Sequence, residues 1–190
     1  MILSFDRFVQ GILRNYRKRV FQKKIKCPHG NFKLVGNIHL INTNIALGQN
    51  VTIYPDVMFF GDGPIVLGDN VDIGQGSIIY ASKDGGGVYI GENSMVAAQS
   101  YIIDMDHGIA ANKLIREQNN TVAPVTIGND VWIAANVTVL KGSEIGNGAV
   151  VGAKSLVKGI VPENAIVVGT PAHIIKYRQD VQKPREEESN

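Results

Sequence analysis

At 190 residues with 44% hydrophobic content and 21 glycines, the chain is long enough for one domain with a sizeable core and is rich in residues that turn corners. No apolar run is long enough to span a bilayer, the N-terminus lacks the compact apolar region of a signal peptide, and the lone Cys27 excludes an intrachain disulfide; a reducing cytoplasm is the expected compartment. The net charge of +2 hides an asymmetry: residues 1–26 hold eight bases (Arg7, Arg14, Arg17, Lys18, Arg19, Lys23, Lys24, Lys26) against Asp6, a balance of +7, which leaves −5 for the rest.

Within that basic stretch Phe5, Phe8, Ile12, Tyr16 and Val20 recur at spacings of three or four, which predicts a basic amphipathic helical segment over residues 1–28. Two roles fit it. The helix caps the end or side of the repeats that follow, or it rests as a peripheral contact on the anionic inner face of a membrane. No nucleic-acid recognition motif accompanies the charges. Cys27-Pro28-His29 offers only two ligands, too few for a metal clip, and the thiol reads as partly buried.

Further along, an aliphatic residue returns every six positions, at Ile127, Ile133, Val139, Ile145, Val151 and Val157, and the residue four places after each is small enough to pack inward. Alternation puts the first and fifth residues of a hexad on one face of a short strand, and the Gly, Asn and Asp between them tolerate the backbone of a corner. Three such sides, about eighteen residues, close one coil around an aliphatic core. A parallel β-helix follows. Leu47 and Ile53, then Leu67, Ile73 and Ile79, then Ile90, Val96 and Ile102 keep the same phase. Surplus residues between them mark two insertions, Ser82-Lys83-Asp84-Gly85-Gly86-Gly87 and a larger unpatterned loop of about 103–125. The repeat domain is expected over 29–178, with a flexible tail at 179–190.

The runs Ile127-Gly128-Asn129-Asp130-Val131-Trp132-Ile133-Ala134-Ala135-Asn136-Val137, Val151-Gly152-Ala153-Lys154-Ser155, Ile160-Val161-Pro162-Glu163-Asn164 and Val168-Gly169-Thr170-Pro171-Ala172 resemble the hexapeptide-repeat acyltransferases. The branch they are most similar to is the sugar and polysaccharide O-acetyltransferases, which includes the galactoside and maltose acetyltransferases. The resemblance covers about residues 40–178. It implies an all-β, left-handed parallel β-helix with a protruding loop, acetyl-CoA as donor, no metal, and a homotrimer with active sites between subunits.

Acetyl transfer from a thioester to a hydroxyl needs a base for the hydroxyl proton and donors for the developing oxyanion. Of four histidines only His107 lies in the large insertion, where the family carries its base. Asp104 and Asp106 are candidates to orient the imidazole, with Glu117 or a backbone carbonyl as alternatives. The resemblance further implies the Ala135 amide as donor to the thioester oxygen, Trp132 as an apolar wall for sugar or pantetheine, and Ser82 at the acceptor, where related enzymes carry asparagine. Ala153 would give pantetheine close approach, and Lys158, His173, Lys176 and Arg178 are the cations available to phosphates.

The expected reaction is direct acetyl transfer from acetyl-CoA to a carbohydrate hydroxyl, on a polysaccharide, a lipid-linked glycan or a small sugar. Another acceptor, such as an antibiotic, an amino sugar nitrogen or serine, is the alternative. A zinc enzyme on the same helix would need about three converging histidines, and the repeats contain only His107.

Overall fold

Two-residue alternation and six-residue sides produce short strands, and the computed structural model, which describes residues 2–27 and 31–179, stacks them into three parallel sheets. The chain visits the sheets in fixed rotation. The first contains Phe32–Leu34, Val51–Ile53, Asp72–Ile73, Met95–Val96, Trp132–Ile133, Val150–Val151 and Ala165–Val168; the second runs from Ile38–Leu40 to Leu156–Val157; the third runs from Ile45–Leu47 to Ile160–Val161. The solenoid thus begins one coil before the clear beat. An antiparallel strand, His173–Tyr177, closes the last edge of the first sheet.

Register makes the beat a core. Ile53 pairs with Ile73, Ile73 with Val96, Val96 with Ile133, Ile133 with Val151 and Val151 with Val167, all of them buried. The fifth-place residues Val131, Val137 and Ala149 are buried beside them. Each aliphatic side chain so enclosed contributes about 1.5–3 kcal/mol.

The corner between the third and first sheets turns through the left-handed region at Asn50, Asn70, Asn93, Asp130 and Asn164. Their side chains form a ladder: Asn31 donates to Asn50, Asn50 to Asn70 (3.1 Å) and Asn70 to Asn93 (2.9 Å). Gly148, at φ +68°, has no side chain to contribute. Arg178 fills that gap, its Nη1 donating to the Gly148 carbonyl and to Asp130 Oδ2, both at 2.9 Å.

Helix α1 spans Ile2–Lys24 and leads into a bridge between Lys26 and Ala46. The side chains of Phe5 and Phe8 in the expected stripe lie outside the described ones. Ile12, Tyr16 and Val20 are exposed, while Phe21 is buried with ring centroids 5.4 Å from Phe32 and 6.5 Å from Phe59. Among the described side chains, Phe21 anchors the helix to the first coil, and Tyr16 and Val20 border a groove beside Leu34 and Leu40. Cys27 is half-buried against the core; Pro28, His29 and the tail over 180–190 lie outside the described residues. No described helix is long and apolar enough to cross a membrane.

Arg178→Ala should cost about 1 kcal/mol, since its charge-assisted bonds are largely solvent-exposed. Hydrogen exchange should quicken in His173–Tyr177 and stay unchanged in the central coils.

Candidate active site

The large insertion leaves the second sheet after Tyr101–Ile103 and rejoins the third at Val125–Ile127. Its root is Asp104, a carboxylate with 0% exposure. Oδ1 accepts from the Ser82 amide (2.7 Å), Oδ2 from the Gly87 amide (2.9 Å), and the Asp104 carbonyl accepts from the Ala123 amide (3.0 Å). One residue therefore ties the smaller insertion to both ends of the larger one. Gly85 makes this approach feasible, since a Cβ there would stand 2.6 Å from Asp104 Oδ2. Burial pushes the Asp104 carboxyl above the ordinary carboxylate range, against the pull of the Ser82 and Gly87 N–H groups.

Beyond Asp104 the loop is patterned rather than irregular. Met105–Asp106 pairs antiparallel with Thr121–Val122 to form a neck, and Ile115–Glu117 makes a 3₁₀ turn near the tip. Gln118 holds the tip together: its Oε1 accepts from the Ala110 amide (2.7 Å), and its Nε2 donates to the carbonyls of Ala110 (3.0 Å) and Lys113 (3.1 Å).

His107 follows the neck and is exposed. Its Nδ1 lies 3.0 Å from Asn120 Oδ1. Donation from Nδ1–H to that amide oxygen would leave Nε2 as the nitrogen with the free lone pair. Among the described residues the side chain in contact with the ring is Asn120. Asp104 is occupied with backbone amides, and Asp106 stands 3.7 Å from Lys141 Nζ. A cleft of about 640 Å³ is lined by Asp106, His107, Gly108, Ile109, Ile115, Thr121 and Lys141.

The other expected site residues lie apart from this cleft. Trp132 projects from the first sheet, 48% exposed, beside Met95 and Val150. Ala135 and Ala153 occupy the corner between the first and second sheets. Lys154 donates to the Ala135 carbonyl (3.0 Å), but the amides of Ala135 and Ala153 meet no acceptor among the described residues. The contrast with the asparagine corner is chemical. There the amides of Gln49, Glu92 and Asn129 are capped by Asp69, Asn129 and Asn147 of the next coil; alanine has no oxygen with which to do the same.

Ser82 is buried, and its amide is committed to Asp104. Lys158 is exposed at the corner between the second and third sheets, His173 and Lys176 on the closing strand, and Arg178 is engaged with Asp130 and Gly148. Among the described residues no group of three His, Cys, Asp or Glu is assembled to hold a metal ion. Asn120, Gln118 and Lys141 were absent from the sequence expectations, because their pairings depend on the register of the neck.

Residues 124–159 match the bacterial transferase hexapeptide (six repeats) family, and residues 64–103 match the hexapeptide repeat of succinyl-transferase. A protein of Escherichia coli named as a lipopolysaccharide biosynthesis O-acetyl transferase (WbbJ) is 39% identical over 143 residues, 70% of this chain and 71% of the relative. The chain belongs to the hexapeptide-repeat acetyltransferases. A Mycobacterium tuberculosis protein named as an acetyltransferase (Rv3034c) is 38% identical over 119 residues, 62% of this acetyltransferase; the match spans only 39% of that relative's length. AntD, an N-acyltransferase from Bacillus cereus solved with dTDP and 3-hydroxybutyryl-CoA, has the same fold, with a TM-score of 0.72 at 21% identity over 86% of this chain and 88% of that one.

Asp104→Asn in this acetyltransferase should turn an NH₂ group toward the Ser82 or Gly87 amide and leave a buried donor without an acceptor. A loss of about 1–3 kcal/mol is expected in denaturant unfolding.

Proposed function

We propose that the protein transfers the acetyl group of acetyl-CoA to a hydroxyl of a carbohydrate, with His107 as general base. The observation that carries the reading is the His107–Asn120 contact, which leaves Nε2 free as acceptor on the wall of an open cleft. The name of the Escherichia coli relative, an O-acetyl transferase of lipopolysaccharide biosynthesis, supports a glycan acceptor.

Acetyl-CoA supplies the acetyl group. As the acceptor oxygen bonds to the acyl carbon, Nε2 takes the hydroxyl proton and then returns it to the departing sulfur, so the products are the ester and free coenzyme A. The Ala135 amide donates to the thioester oxygen as negative charge develops there. The uncapped amides of Ala135 and Ala153 fit an extended amide-bearing arm laid along that corner.

One chain does not bring these parts together. Trp132 and His107 belong to different sides of the prism, and a second copy supplies the missing side. The outward face of the second sheet, with Met58, Phe60, Ile78, Tyr80, Tyr101 and Ile103, is apolar enough to support close packing of copies in a homotrimer. Phe60 and Tyr80 already stack at 5.1 Å.

A screen of carbohydrate and amino-sugar acceptors, read by thiol release from acetyl-CoA and by product mass, tests the reading. His107→Ala should lower kcat by ~10²–10⁴-fold with the oligomer intact; full activity in this variant would overturn the base assignment. Asn120→Ala should lower kcat on the order of tenfold with little change in KM, because it frees the ring without removing it.

A further inference from the structure

Helix α1 buries Phe21 against the solenoid and leaves four apolar side chains exposed, of which Tyr16 and Val20 border a groove shared with Leu34, Ile38 and Leu40 of the first coil. Phe21 is 4% exposed, and Lys18 Nζ sits 4.9 Å from the Phe32 ring centroid. Ile12, Leu13, Tyr16 and Val20 are 54%, 37%, 67% and 37% exposed. At about 100° per residue these four share an arc of about 100°, and Phe21 lies about 130° from its midline. Arg19 and Lys24, both exposed, fall about 20° outside the two edges of the arc, with Lys23 inside it at the C-terminal end.

We propose that this face of α1 docks on the surface of an anionic phospholipid bilayer, lying in the interface plane. The apolar arc enters the boundary between headgroups and acyl chains, while the long bases beside it extend outward to lipid phosphates. Charge selects this occupant. Residues 1–26 carry +7 against −5 for the remainder, so a second copy of the same face would bring like charge to like charge, whereas an anionic leaflet attracts the helix and repels the rest of the chain. The helix is not long and apolar enough to cross the membrane, and residence at the surface would cover the exposed apolar side chains beside its bases. This assignment stands apart from the identity of the acceptor.

The test is flotation of the full-length protein with vesicles of phosphatidylglycerol mixed with phosphatidylcholine, and with vesicles of phosphatidylcholine alone. The protein should float with the mixed vesicles, less so at high salt, and remain behind with the neutral ones. Ile12→Asp with Tyr16→Asp should weaken binding on the order of tenfold or more, as should Arg19→Gln with Lys23→Gln and Lys24→Gln. Both sets change exposed positions far from His107, so acetyl transfer to a soluble acceptor and the unfolding midpoint should be retained. Lack of flotation of the unsubstituted protein with mixed vesicles, or flotation of either variant equal to that of the unsubstituted protein, would overturn the proposal. So would a change of oligomeric state in the Ile12/Tyr16 variant, which would mean that a second copy covers the face. Since acetyl transfer is read separately, failure here leaves the catalytic proposal standing.

Discussion

Stacking sets the terms for everything else in this molecule. Each side must place its inward residue directly over that of the coil below, because a slip of one position would turn the apolar set to solvent. Two of the three corners obey without exception: from the first sheet to the second, and from the third to the first, successive core residues are always six apart, as at Ile53 and Phe59 or Ile127 and Ile133. The third corner takes up all the variation. There the pairs are Leu40 and Leu47, Phe59 and Leu67, Ile79 and Ile90, Ile102 and Ile127, Val139 and Ile145, and Val157 and Val161. Chain can be added at one edge of the prism without disturbing the register anywhere else.

Both insertions lie along that edge. The glycine-rich insertion and the loop that carries His107 emerge from consecutive coils, and Asp104 fastens one to the other with three backbone partners. A buried carboxylate is a costly fastener, since burial disfavours its charge. What it provides is direction: two flexible connections are forced to leave the solenoid with a fixed relation, and His107 stands only three residues from the tie. Asn120 then sets the ring, and Gln118 keeps the tip folded back.

How much of this was legible depended on what each feature requires. The beat, the sheets and the positions of both insertions were readable because they follow from periodicity alone. Ring orientation was not, because Asn120 approaches His107 only through the antiparallel neck, and nothing in the spacing distinguishes it from Asn112 or Asn119. Asp104 and Asp106 were reasonable partners by proximity, yet Asp104 lies before the neck and is held by the Ser82 and Gly87 amides, while Asp106 within it approaches Lys141. The contact of Arg178 with Gly148 and Asp130 was not legible either, because it depends on where the closing strand brings the chain back beside the asparagine corner. Of the α1 stripe, Ile12, Tyr16 and Val20 are exposed while the neighbouring Phe21 is buried against the first coil, a choice that helical period alone does not decide.

The closing strand His173–Tyr177 has a further effect. A parallel solenoid has no inherent stop, because its last rung offers the same open hydrogen-bonding groups as every earlier one, and another molecule could in principle continue the stack. Reversing direction at that final step gives the exposed edge of the first sheet the wrong polarity for another coil in the same sense. That reversal removes one of the three edges along which a filament could grow, and Phe21 of α1 packs on Phe32 at the other end of the same sheet.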